Sequence, residues 1–357
     1  MELKKFIDCY IPTETCNLRC HYCYITQQRK FNNRLADFPH GPEEIRRALS
    51  VKRLGGTCLL NFCAGGETLL GNNVMDVIRT LLEEGHFLMV VTNGTLTNRF
   101  EELSKFPREL RQRLFIKFSF HYLELLRTCL VETFFENINR MRKTEISFTV
   151  EITPSDELIP HIGNIKELSS QKLGALPHVT IARDDRTKGI EVLSKHSFED
   201  YQKIWSPFES GLFQFKSAIF HTKRKEFCYA GDWSLYVDLV TGNVRQCYCG
   251  RVLDNLFENP AKPLKTEAIG NHCSLPHCYN GHAFLTLGTI PEMETPTYAE
   301  MRDRVDALGR HWLQPAMMAF MKQKLESHNA PYSKTGKALA NLKSMAYFLA
   351  SRIRHGH

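Results

Sequence analysis

The 357-residue chain is 43% hydrophobic and 24% charged, with a mean hydropathy of −0.31, so it can bury one large core and a smaller one. No apolar run approaches the roughly 18 residues that cross a bilayer, and Asp8 and Pro12 cut the Met1–Pro12 stretch short of a signal-peptide core, so a cytoplasmic location without membrane attachment is expected. The net charge of +7 is concentrated in residues 297–357, which hold ten Lys/Arg against four Asp/Glu. That asymmetry fits either a solvated helical face or a surface for an acidic partner such as RNA.

In chain order, β-rich runs are predicted at Lys5–Ile11, Thr57–Cys63, Phe87–Thr92, Phe115–Phe120, Ile146–Thr153 and Val179–Ala182. Helical patterns lie between them at Pro42–Arg53, Asn72–Glu84, Thr97–Lys105, Leu123–Arg142 and Asp156–Gln171. Pro42 with Glu43 and Glu44 makes a good helix start, with proline in the first turn and acids at the positive dipole end. Six strand–helix units predict parallel strands joined by crossovers, either an open sheet or a partial barrel. The alternation ends near Arg183. The expected division is a core over 1–190, a linker with short helices over 191–227, a small cysteine-rich domain over 228–290 and a basic tail of two or three helices over 291–357. The third unit includes a hairpin-like stretch, Ser234–Val240 and Val244–Tyr248 around Thr241-Gly242-Asn243.

Twelve cysteines are many for a reducing compartment, and their clustering points to metal binding or chemistry rather than disulfides. Cys16, Cys20 and Cys23 form a C-x3-C-x2-C loop directly after the first strand. Three thiolates on one short loop can hold three irons of a cubane and leave the fourth iron open to a substrate, whereas an electron-carrying ferredoxin would add a nearby fourth cysteine. The next cysteine here is Cys58. A structural zinc loop is the alternative.

The segment Thr13–Tyr24, TETCNLRCHYCY, resembles the signature of the radical S-adenosylmethionine (SAM) superfamily, including the aromatic Tyr22 before the third cysteine. The resemblance implies a partial (β/α)6 barrel. It also implies a [4Fe–4S] cluster whose open iron binds SAM, reductive cleavage of SAM to a 5′-deoxyadenosyl radical, and abstraction of a substrate hydrogen atom. Ala64-Gly65-Gly66-Glu67-Thr68 resembles the family's GGE(P) motif, with Thr68 in place of the common proline. Gly65 and Gly66 permit close backbone approach to a ligand, and Glu67 is expected to accept from the SAM ammonium. Thr92-Asn93-Gly94 is also similar to the family pattern. Ser119, ending the fourth strand, and Arg183, after the sixth, lie where family members approach SAM, although a capping serine and a surface arginine are the plain alternatives.

Cys228, thirteen residues, Gly242, four residues and Cys247 resemble the opening of the SPASM and twitch extensions that hold auxiliary clusters, and Leu253–Phe257 resembles their connector. Only Cys273 and Cys278 follow, at C-x4-C spacing, which favours the shorter twitch type. Cys228, Cys247, Cys273 and Cys278 would then ligate a second [4Fe–4S] cluster completely, with Cys249 able to replace Cys247. A four-thiolate zinc site is the alternative, with His272, His277 and His282 as further ligand candidates. Cys249 is also a candidate hydrogen-atom donor, which would produce epimerisation. Glu151 and His121 are candidate acid/base groups, while Cys9, Cys58 and Cys63 read as buried small hydrophobes. The expected substrate is a ribosomal peptide, from what such extensions imply, although a loop starting at Cys16 leaves little room ahead of it for a peptide-recognition domain. A small molecule such as a sugar or aminocyclitol, and RNA, are the alternatives. The expected electron donor is of the flavodoxin or ferredoxin type.

Overall fold

A computed structural model describes residues 1–248 and 250–355, with side chains described as far as residue 347. Strands β1 (Lys5–Ile11), β2 (Cys58–Ala64), β3 (Phe87–Thr92), β4 (Leu114–Ser119), β5 (Ser147–Ile152) and β6 (His178–Val179) run parallel in sequence order. β7 (Ser234–Asp238) adds in parallel on the free side of β1, and β8 (Asn243–Arg245) and β9 (Val252–Asn255) follow as antiparallel neighbours. The nine strands make one sheet of order β6-β5-β4-β3-β2-β1-β7-β8-β9, and no pairing joins its two ends among the described residues. The alternation leaves an open sheet and a partial barrel as alternatives, and this sheet agrees with the partial barrel that the resemblance implies.

The strand period of two decides what each face does. Ile7, Cys9 and Ile11 of β1, Leu60 and Phe62 of β2, and Ile116 and Phe118 of β4 face the helices in one large buried cluster. The inward positions divide by height. Near the strand starts Phe6, Leu59, Phe87 and Phe115 pack against Trp233, Phe284, Tyr298 and Phe320 from later in the chain, closing the lower half of the barrel. Toward the strand ends the inward positions turn polar, with Asp8 and Tyr10, Asn61 and Cys63, Lys117 and Ser119, and Glu151. The C-terminal ends of the strands are therefore the open, chemically equipped side, as in full barrels.

Several segments differ from expectation. The helix expected over Leu123–Arg142 breaks into Tyr122–Arg127 and Val131–Lys143, with Cys129 at φ +56° between them. Pro42–Arg53 breaks after Ala48, because Ser50 caps a second helix by accepting from Arg53 N at 3.4 Å. Within 191–227 the short helices are Phe198–Trp205 and Gly211–Ile219, which bury Tyr201, Trp205 and Phe213 in the large cluster. The tail has helices at Pro315–Met321 and Lys334–His355, as expected, while the rest of 291–325 is largely irregular and packs onto the barrel. Trp312 stacks on Phe148 at 5.3 Å, and its carbonyl accepts from Phe148 N at 3.1 Å. The helix Lys334–His355 lies against the cysteine-rich module. Lys337 sits 5.2 Å from the Phe227 ring and 3.4 Å from Glu292, and Lys343 pairs with Glu267 at 3.2 Å. Part of the tail's positive charge is thus satisfied within the chain. No helix among the described residues is long and apolar enough to cross a membrane.

Candidate active site

The loop after β1 is pinned by the end of β2. Gly65 N donates to Ile11 O at 3.0 Å, Gly66 N to Thr13 O, and Glu67 N to Thr15 O at 3.0 Å, extending the β1–β2 ladder beyond both strands. This contact explains the two glycines. A Cβ at Gly65 would lie 2.8 Å from Thr13 O, and one at Gly66 would collide with Thr15 O. The space they leave is taken by the cysteine loop itself, a reason the sequence pattern alone does not reveal.

Cys16, Cys20 and Cys23 line one cavity whose other walls include Gly65, Gly66, Glu67, Asn93, Ser119 and His121. Burial pushes the Cys16 thiol up to about 11, and burial together with the neighbouring thiols raises Cys20 as well. Three thiols gathered away from solvent become thiolates together only if a cation shares their cavity, so the donor set fits an iron–sulfur cluster. No three His, Cys, Asp or Glu side chains among the described residues converge closely enough to hold a single metal ion.

Neighbouring residues orient that cavity. Glu67 is buried and already accepts from Leu69 N (3.0 Å), Thr92 Oγ1 (2.7 Å) and Asn93 N (2.7 Å). Asn93 Nδ2 reaches Asn17 Oδ1 at 2.7 Å and the Cys16 sulfur at 3.6 Å, tying the β3 end to the loop. Tyr22 and His121 meet at 2.7 Å between the phenol oxygen and Nδ1. Burial, reinforced by Lys117, lowers His121 to about 4, so its ring is neutral near pH 7. A neutral ring keeps one donor and one acceptor nitrogen, so the tautomer decides which partner donates across this contact.

Cys228, Cys247, Cys273 and Cys278 line a second cavity, together with Tyr248, Tyr279 and Asn280. Cys249 lies outside the described residues. The four thiols come from segments that β7, β8 and the helix Gly281–Phe284 hold together, and their number fits a fully ligated cluster.

Between the two cysteine sites lies a cavity of about 350 Å³ that the sequence does not disclose. Tyr248, Tyr279 and Asn280 border both it and the second cysteine cavity. Its remaining walls include Asp8, Tyr10, Tyr24, Cys63 and Tyr236, with Arg183 and Asp185. Tyr24 donates to Gly65 O at 2.8 Å, which joins this cavity to the glycine turn. Arg183 stacks over Tyr279 at 5.0 Å and faces Asp185 at 3.7 Å, so it bridges the core and the cysteine-rich module. Glu151 stands apart from this space, with one oxygen 2.9 Å from Lys117 and the other 2.5 Å from Arg302. Asp8 and Asn280 carry no motif. The period-two alternation of β1 is the one signal that could place Asp8 inside the barrel.

Residues 10–155 match the Radical SAM superfamily. A 99-residue stretch is 28% identical to an S-adenosylmethionine-dependent nucleotide dehydratase of Pseudoalteromonas ulvae, covering 24% of this chain and 31% of that protein. Among solved structures, Streptococcus suis SuiB bound to S-adenosylmethionine superposes with a TM-score of 0.50 at 13% identity, over 72% of this chain and 64% of SuiB. Native anSMEcpe with bound AdoMet and Kp18Cys peptide superposes with a TM-score of 0.51 at 14% identity, over 71% and 78%. The chain thus spans about a third of the curated relative and under two thirds of SuiB; at these identities the structural likeness speaks for the fold.

Proposed function

On the match of residues 10–155 to the Radical SAM superfamily, we propose that the chain cleaves SAM reductively and uses the resulting radical to take a hydrogen atom from a substrate held between two iron–sulfur clusters. Cys16, Cys20 and Cys23 would hold the first cluster, which supplies the electron and the open iron at which SAM binds. Cys228, Cys247, Cys273 and Cys278 would hold the second, which supplies an acceptor or relay for an electron.

The chain's own residues divide the remaining work. Gly65 and Gly66 let the cysteine loop lie against the β2 end, and Glu67 and Asn93 fix the wall beside Cys16. Glu67 Oε2, which accepts one internal hydrogen bond, retains a lone pair for the SAM ammonium. Ser119 faces the same cavity, where its hydroxyl suits a ribose oxygen. Neutral His121 holds Tyr22 beside the loop without adding charge near the thiols. Arg183 and Tyr279 form the wall shared with the second cysteine module.

The single observation that carries this reading is the cavity walled at one end by Tyr24, which bonds the glycine turn, and at the other by Tyr248, Tyr279 and Asn280, which also border the second cysteine cavity. It suits a substrate that enters as a compact group, either a small molecule or one side chain presented by a peptide. A flavodoxin or ferredoxin would supply the electron. Anaerobic reconstitution tests the proposal. About eight irons per chain are expected, four for each cluster, together with dithionite-dependent 5′-deoxyadenosine. Replacing Cys16, Cys20 and Cys23 by alanine should halve the iron and abolish SAM cleavage. A protein that binds zinc alone and leaves SAM intact would refute the reading.

A further inference from the structure

Asp8 lies on the wall of the cavity between the two cysteine sites, and its position is built rather than incidental. One carboxylate oxygen accepts from Asn61 Nδ2 of β2 at 2.6 Å, and the other from Asn280 Nδ2 of the cysteine-rich module at 2.9 Å. The Tyr248 phenol is its third hydrogen-bonding neighbour. These neutral groups orient the carboxylate without cancelling its charge. Among the described residues Asp8 has no salt-bridge partner, and its charge opposes ionisation of Cys9, Cys63, Tyr236, Tyr248 and Tyr298, thiols and phenols that are uncharged near pH 7; Lys117 also acts on Cys63 but is paired with Glu151 at 2.9 Å. The other charges on the cavity wall, Arg183 and Asp185, stand 3.7 Å apart and offset each other. The ionised cavity therefore has one negative charge that no cation of the wall offsets.

The uncharged walls favour the same ligand. Tyr10 and Tyr236 stack at 5.6 Å and continue to Tyr248 at 5.1 Å, a run of aromatic surface beside the carboxylate. Aromatic faces attract cations through their quadrupole, and the one cation already at this wall, Arg183, lies over the Tyr279 ring at 5.0 Å. A carboxylate held by amides and flanked by tyrosines is the composition that recognises an ammonium group.

We infer that this cavity takes a substrate bearing a protonated amine, with Asp8 as the group that anchors it. The inference rests on the preceding reading that the substrate enters between the two clusters. The ammonium could belong to a small amino alcohol or amino sugar, or to a lysine side chain of a peptide; the shared chemistry is a cation on a compact aliphatic frame. Once bound, such a cation would complete Asp8's charge, as Lys117 and Arg302 complete that of Glu151.

The test uses the reconstituted protein with SAM bound, and calorimetric titration with three probes: 2-aminocyclohexanol, a capped Ala-Lys-Ala peptide, and cyclohexanol as the neutral control. At pH 7.5 at least one amine probe should bind tenfold or more tightly than cyclohexanol, and Asp8→Asn should erase that preference. Tighter binding of the amino alcohol or of the peptide tells which source of ammonium the site accepts, and either supports the inference. Wild-type protein that prefers neither amine over cyclohexanol overturns it, and so does a folded Asp8→Asn protein that keeps the preference. The wild-type comparison decides the matter even if the variant fails to fold. SAM cleavage on the same preparation separates the two readings. Cleavage without amine preference overturns this inference alone, and amine preference without cleavage overturns the reading it rests on.

Discussion

The two walls of the barrel each bring a buried carboxylate to the lumen, yet they treat it in opposite ways. On β5, Glu151 is clamped by Lys117 at 2.9 Å and Arg302 at 2.5 Å. Burial alone would raise it, but Lys117 and then Arg302 override burial and hold it well below the usual carboxylate range. On β1, Asp8 has only neutral partners, and burial pushes it up to about 7. The first carboxylate is fully compensated and seals its wall. The second is left with unmet charge and faces a cavity. Compensation, more than burial, separates a structural acid from one available to a ligand.

The comparison breaks if Glu151 can be removed cheaply. Glu151→Gln leaves buried Arg302 and partly buried Lys117 without an anion, a change expected to cost about 3–5 kcal/mol in urea unfolding. A loss near zero would mean that the clamp is incidental. Asp8→Asn should act through pH. Between the unfolded value near 3.8 and the folded value of about 7, the unfolded chain releases a proton that the native state retains, so stability falls as pH rises across that window and levels off above it. The fall should amount to about 4 kcal/mol, because the native carboxylate holds its proton roughly a thousandfold more tightly than the unfolded one. The variant's unfolding profile should be correspondingly flatter there. Lys117→Met removes one of two cations and leaves Arg302 in place, so about 1–3 kcal/mol is expected from the lost charged hydrogen bond; a loss matching that of Glu151→Gln would show that Lys117 alone carries the clamp. The smallest effect belongs to Asn61→Ala. Its Oδ1 is already buried without a partner, so only the bond to Asp8 is lost, about 1 kcal/mol, and thermal unfolding at pH 7.5 would measure it.

Much of the frame is legible locally. β1 and β3 have the bounds that their β-rich runs predict, and the other core strands lie within a few residues of theirs, β6 being the shortest. The first three cysteines, with Gly65, Gly66 and Glu67, line one cavity. Other positions are decided at a distance. Glu151 has the chemistry of an acid/base residue, but its surroundings depend on Arg302, 151 positions away. Cys63 reads as a buried hydrophobe in the sequence, yet it lines the cavity, because an inward position at a strand end meets open space where the same face nearer the strand start meets packed aromatics. The segment 191–227 reads as a linker with short helices because it lacks a clear period; the positions those helices take are decided by large aromatics buried one by one rather than by a continuous stripe.

What the sequence alone determined is what short-range chemistry encodes. The strand–helix alternation, the three-thiol loop and the glycine turn each depend on neighbours a few positions apart, so spacing is enough to announce them. Tertiary structure decided what stands opposite what. Asp8 becomes distinctive only when Asn280, 272 positions later, reaches its second oxygen and no cation does. A side chain's charge state is set by its surroundings in space, and those are assembled by strand register and chain return rather than by adjacency.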